Sequence, residues 1–152
     1  MKPIFDTSVA RAMLGAALVY TPLAYGSLGQ AVSSVANDEV SMHAVSHVSV
    51  GQPAYSIHTI TLPSGTVVRE YVASSGLVFG VAWDGPTLPD LKATLGAAFN
   101  RYAAANATRN GNPLAVSADD LVVYSGGHLR AFAGHAYLPA ALPAGVDAGV
   151  IQ

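Results

Sequence analysis

The sequence contains no cysteine. That excludes disulfides, thiolate zinc sites, a cysteine nucleophile and a lipid-modified cysteine anchor, and it leaves the redox compartment open. Charge is also scarce: charged residues make up 11% of the chain, well below the roughly one quarter of ordinary globular domains. Seven Lys and Arg stand against nine Asp and Glu, a net of −2. Such a balance offers no electrostatic case for nucleic acid or an anionic membrane surface. No glycine loop opens onto a helix in the manner of a phosphate cradle, because Gly126-Gly127 leads into strand-like sequence. No basic–aromatic stripe for single-stranded nucleic acid is present either.

What the chain does have is apolar residues, 51% over 152 positions, enough for one domain with a substantial core. Fifteen glycines and nine prolines imply many turns and favour strands over a helical bundle.

The start reads as an export signal. Lys2 and Arg11 precede a short apolar stretch, Ala12 to Val19, followed by Pro22 and the small residues of Ala24-Tyr25-Gly26. Positive region, apolar region and small-residue cut follow in the order of a secretory signal, Asp6 being the one residue out of character. The apolar run is too short for a bilayer span, which needs about 20 residues. The expected cut falls after Gly26, with Gly29 as the second choice. The mature chain, residues 27–152, is then a single exported domain, periplasmic or secreted, with no integral membrane segment.

Along that chain, Ser33 to Met42 reads as a short helix capped by Ser34. Tyr55 to Leu62, Thr66 to Val72 and Leu77 to Trp83 read as three strands of an antiparallel meander. The last is apolar or glycine at every position, the mark of a strand covered on both faces. Thr87 to Ala105 then spaces Leu88, Leu91, Leu95, Ala98, Phe99 and Tyr102 as one helical face, with Thr87 as cap. A polar loop, residues 106–113, precedes two more strands, Asp120 to Tyr124 and His128 to about Leu138, turning at Ser125-Gly126-Gly127. The expected fold is α+β: a curved antiparallel sheet of about five strands with one long helix between strands three and four. Since one helix covers one face, the other is expected to be covered in part by the chain ends and for the rest by a partner or second copy.

Few constellations carry chemistry. Ser125 with His128 or His135 and Asp120 is the one set from which a hydrolase could be built. Ser125 lacks the Gly-x-Ser-x-Gly strand-to-helix turn of a nucleophile elbow, and a hairpin is the favoured reading. His43 and His47 stand at a helical metal-binding spacing but lack the Glu of a His-Glu-x-x-His site. Arg69 in an apolar strand calls for an ion-pair partner or a ligand. Trp83 ends the apolar strand where a pocket could open, with core packing as the alternative. Arg69, Trp83, His128 and Arg130 are therefore candidate ligand contacts. No catalytic set, metal site or cofactor is assigned.

Three stretches taken together, "LGQAVSSVANDEVSM", "LPSGTVVREYVASSGLVFGVAWDGPTLPDL" and "DLVVYSGGHLRAFAGHAYLPAALPAG", resemble the proteobacterial exported proteins grouped as domain of unknown function 2844. The resemblance spans about Leu28 to Gln152. It implies an exported protein and transfers no activity and no site residues. The sequence thus points to a non-enzymatic module that binds a protein or a small apolar ligand, and it allows a homo-oligomer. A hydrolase at Ser125, His128 and Asp120 and a metal-binding protein at His43 and His47 are the alternatives.

Overall fold

The computed structural model describes residues 27–107 and 114–152. The expected export signal, residues 1–26, and positions 108–113 of the expected polar loop lie outside the described residues.

Helix α1 (Ser33–Ser41) is followed by strands β1 (Ser46–Gly51), β2 (Tyr55–Thr61), β3 (Val67–Ala73) and β4 (Val78–Gly85). A helical segment comes next: α2 (Leu91–Leu95), a 3-10 turn (Gly96–Ala98) and α3 (Phe99–Ala107). Strands β5 (Leu114–Ser117), β6 (Val122–His128) and β7 (Ala131–Tyr137) complete a seven-stranded antiparallel sheet in the order β1-β2-β3-β4-β7-β6-β5. The fold is therefore sheet-dominated. It has seven strands rather than five, and the helical segment follows the fourth strand, not the third. The two added strands, β1 and β5, are the sheet edges. An edge strand is half solvated, so it lacks the apolar density that marks β3 and β4 in the sequence.

The expected single helix is broken at Gly96, whose φ is 53°. It starts later than Thr87, because Asp90 is the cap: its carboxylate accepts from the backbone N–H of Lys92 and Ala93 at 2.9 and 3.1 Å. Thr87 instead ties the preceding loop to β3, its carbonyl accepting from the Thr66 hydroxyl at 2.7 Å. Ser34 lies inside α1 rather than at its cap, and its hydroxyl donates to the Ala31 carbonyl at 2.8 Å.

Both faces of the sheet are covered at its centre. On one, Ile60, Val68, Val72, Val78, Val81, Trp83, Val123 and Ala136 pack under the helices, through Val35, Leu91, Leu95 and Tyr102. On the other, Tyr71, Phe79 and Ala82 are closed over by the C-terminal tail, chiefly Ile151. Gly80 admits that tail: a Cβ there would stand 2.7 Å from Ile151 Cδ1. The Tyr71 hydroxyl clamps the end of the chain, donating to the Gln152 carbonyl at 2.9 Å and accepting from its N–H at 3.2 Å. Strand β4 is buried from Val78 to Trp83 by the chain itself. It therefore gives no reason to invoke a partner or second copy, which corrects the sequence expectation. Among the described residues no helix is long and apolar enough to cross a membrane.

The β6–β7 hairpin also differs from expectation. Ser125, Gly126 and Gly127 are paired within the strands, opposite Gly134, Ala133 and Phe132, and the turn is Leu129-Arg130. Arg130 takes the left-handed backbone there, φ 67°. Gly127 has φ 125°, and a Cβ on it would meet the Ala131 carbonyl oxygen at 2.3 Å. Its glycine is needed inside the ladder rather than at the turn.

Candidate functional site

Strand alternation puts Ser125 on the helix-covered face, where it is buried. His128 is an odd number of residues away, and His135 sits opposite Tyr124 rather than opposite Ser125. Both histidines therefore face away from the Ser125 side chain. The His135 ring stacks between Tyr124 and Tyr137, with centroids 5.7 and 6.3 Å away. Asp120 is exposed and held by a two-pronged bond from Arg101, at 2.8 and 3.1 Å. The serine, histidines and aspartate of a hydrolase are thus not brought together.

The other sequence candidates also separate. Trp83 is a core residue seated on Gly134, where a Cβ would stand 2.4 Å from Trp83 Cζ2. Arg69 pairs with Asp84 on the tail-covered face. His128 and Arg130 flank the exposed hairpin tip, beside Leu129 at 85% exposure. His43 is exposed in the turn after α1, while His47 lies in β1, so the two share no helix face. Among the described residues no group of three or more His, Asp and Glu is arranged to hold a metal ion.

The structure assembles two polar clusters that the sequence reading did not find, both beneath α1. The first is a relay. The Glu39 carboxylate at the end of α1 contacts His47 Nδ1 at 2.9 Å, and His47 Nε2 contacts His58 Nδ1 at 3.1 Å. His58 Nε2 then lies 3.3 Å from the Ser56 hydroxyl and 3.5 Å from that of Ser49. Burial and the neighbouring His47 ring hold the His58 imidazole below the ordinary histidine range. The residues lie 8 and 11 positions apart in sequence. Only the β1–β2 register, His47 opposite Ile60 and His58 opposite Ser49, aligns them.

The second cluster is acidic. Glu70 on β3 is 0% exposed and shares the helix-covered face with Val68 and Val72. Neither of its carboxyl oxygens has a hydrogen-bond partner. Asp38 of α1, also buried, lies close by and accepts a hydrogen bond from the Ser27 hydroxyl. Burial pushes the Glu70 carboxyl up to about 8, the neighbouring Ser27 hydroxyl opposing the rise and Asp38 adding to it. Burial likewise raises Asp38, against the lowering effect of the Ser27 bond. A buried carboxyl pair with no cation must hold protons or pay a large desolvation cost.

The surface offers shallow clefts of about 240, 300 and 150 Å³. The first is lined by Leu28, Ala98, Arg101 and Leu138, the second by His135, Tyr137 and Ile151, and the third by Leu88, Tyr102 and Phe132. They stand at or below the lower end of small-molecule sites, which run from about 300 to 1,000 Å³. The outer edge of β1 is different. Its sequence, Ser-His-Val-Ser-Val-Gly, contains no charged residue and no proline, and Val48 and Val50 are 53% and 50% exposed. Val45 just before it and Val40 of α1 are exposed as well.

Neither a curated protein nor a solved structure matches the chain. Over residues 24–151, however, it matches the family described as Protein of unknown function (DUF2844), and with nearly the whole described fold inside that match, the chain belongs to this family.

Proposed function

We propose that this is an exported, non-enzymatic interaction module, periplasmic or secreted, which takes an extended segment of a partner protein along the outer edge of β1. The observation that carries the reading is that edge: six residues long, uncharged, free of proline, and lined by half-exposed valines. Natural sheet edges are ordinarily blunted by lysine, proline, a bulge or a covering element. An unguarded edge suits strand addition, in which main-chain bonds give affinity and alternate side chains give selectivity. Closure of both faces at the centre of the sheet by the chain itself, together with the small size of the clefts described above, favours a protein segment over a small apolar ligand.

Export is supported by the charged start, the short apolar run and Ala24-Tyr25-Gly26. The binding reading is tested by placing a photo-crosslinker at position 48 in exporting cells. A discrete adduct with another protein is expected, lost when Val50 is replaced by Lys in a protein that still unfolds cooperatively. Adducts only with a second copy of the chain would replace the partner by a dimer, and no adduct would refute the edge as a binding surface.

A further inference from the structure

Among the described residues the acidic cluster has no counter-charge. The ion pairs among the described residues are Arg69 with Asp84 and Arg101 with Asp120, Glu39 is hydrogen-bonded to His47, and none of these contacts reaches Asp38 or Glu70. The groups packed around the pair do not help. Asp90, from the loop before α2, adds negative charge, and Lys92 of α2 is exposed. His58 stands opposite Glu70 on β2, but its nitrogens face His47 and the serines, and burial disfavours its charged form. The remaining neighbour is Ser27, fully buried, with its hydroxyl donating to Asp38. Ser27 is also the first residue after the expected export cut.

We infer that cleavage of the Gly26–Ser27 bond delivers a new α-ammonium group into the buried Asp38–Glu70 pair, so that removal of the export signal supplies the counter-charge of the mature fold. This rests on the export half of the proposed function and is independent of what β1 binds. The step balances simply. One water is consumed, the Gly26 carbonyl leaves as a carboxylate, and the Ser27 nitrogen becomes an ammonium. The hydroxyl of the same residue already donates to Asp38, which puts the new amine beside the carboxylates. Cleavage turns one neutral donor into a cationic one at the same place, and a charge-assisted bond is roughly twice as strong as a neutral one.

The geometry also selects between the two expected cuts. Leu28 belongs to the core, and its N–H reaches the Thr94 carbonyl at 3.4 Å. The Gly29 N–H donates to the Val78 carbonyl at 2.9 Å. A cut after Gly29 would strip Leu28 from the core and remove Ser27 from the carboxylates. A cut after Gly26 leaves every one of these contacts in place. The family match begins at residue 24, within a few residues of that cut.

The test has two arms on the full chain expressed in an exporting host. Mass spectrometry of the purified protein should find Ser27 at the N-terminus. NMR titration of its α-amino group should place the pKa at least one unit, tenfold in proton affinity, above the ordinary value of about 7.7–8.0. Glu70→Gln should return it toward that value, and chemical acetylation of the amine, which leaves the fold's sequence intact, should abolish the titration. An N-terminus at Ser27 whose amine titrates in the ordinary range would overturn the ion pair and leave export standing. Intact Met1 would overturn both, and an N-terminus at Gln30 would overturn the pairing by removing the residue that makes it.

Discussion

The two faces of the sheet are closed by different means. The tail-covered face is closed by apolar contact and one clamp: Phe79, Ala82 and Ile151 in close packing, and the Tyr71 hydroxyl holding Gln152. The helix-covered face has a larger apolar core, yet beneath α1 it also buries two carboxyls and carries a half-exposed histidine relay. Burial of apolar surface stabilises a fold without direction, whereas buried ionisable groups must be matched one by one. On the reading proposed above, the tail side is architecture, and the α1 side is the one whose stability depends on the state of the N-terminus.

The largest effect should come from the centre of the helix-covered face. Trp83→Ala removes the ring seated on Gly134 and should cost about 3–5 kcal/mol in denaturant unfolding. Gly134→Val, which drives a side chain into that ring and toward the Tyr124 carbonyl, should prevent folding altogether. On the opposite face Ile151→Ala should cost about 2–5 kcal/mol, because it empties the site above Gly80. If Ile151→Ala were neutral, the tail would not be the cover of that face. Tyr71→Phe sharpens the same point and should cost about 0.5–1.5 kcal/mol through loss of the Gln152 bonds. Val48→Lys should be smallest, within about 0.5 kcal/mol by thermal or denaturant unfolding, since the side chain is half in water. A large loss there would mean that β1 is packed rather than open.

Much of the sheet was legible in the sequence. Tyr55 to Leu62, Thr66 to Val72 and Leu77 to Trp83 anticipate β2, β3 and β4 within a residue or two, because buried strands concentrate β-branched and aromatic residues. The edges were not legible. Ser46–Gly51 is mostly exposed and polar on alternate positions, and Leu114–Ser117 is only four residues long. The hairpin was misplaced because two adjacent glycines signal a turn, whereas Gly127 serves a close backbone approach and Arg130 takes the positive φ. The site was hidden for a related reason. Glu39, His47 and His58 align only once β1 is known to pair with β2, and the burial of Glu70 follows only once β3 is known to be an inner strand.

The most direct measurement is the thermal stability of two otherwise identical proteins, one beginning at Ser27 with a free amine and one acetylated there, followed from pH 4.5 to pH 9. In the acetylated form the carboxyls have pKa values raised on folding, Glu70 to about 8. The folded state then binds more protons than the unfolded one, so stability is full below the ordinary carboxyl range and falls as pH rises toward 8. In the free-amine form the ammonium holds the carboxylates ionised, and its own pKa is raised on folding. Stability should hold level through that window and decline only above the ordinary amine value of about 7.7–8.0, between it and the raised one. The account predicts a stability difference that grows progressively in favour of the free amine from pH 4.5 up to about pH 8. Superimposed curves across the whole range would contradict it.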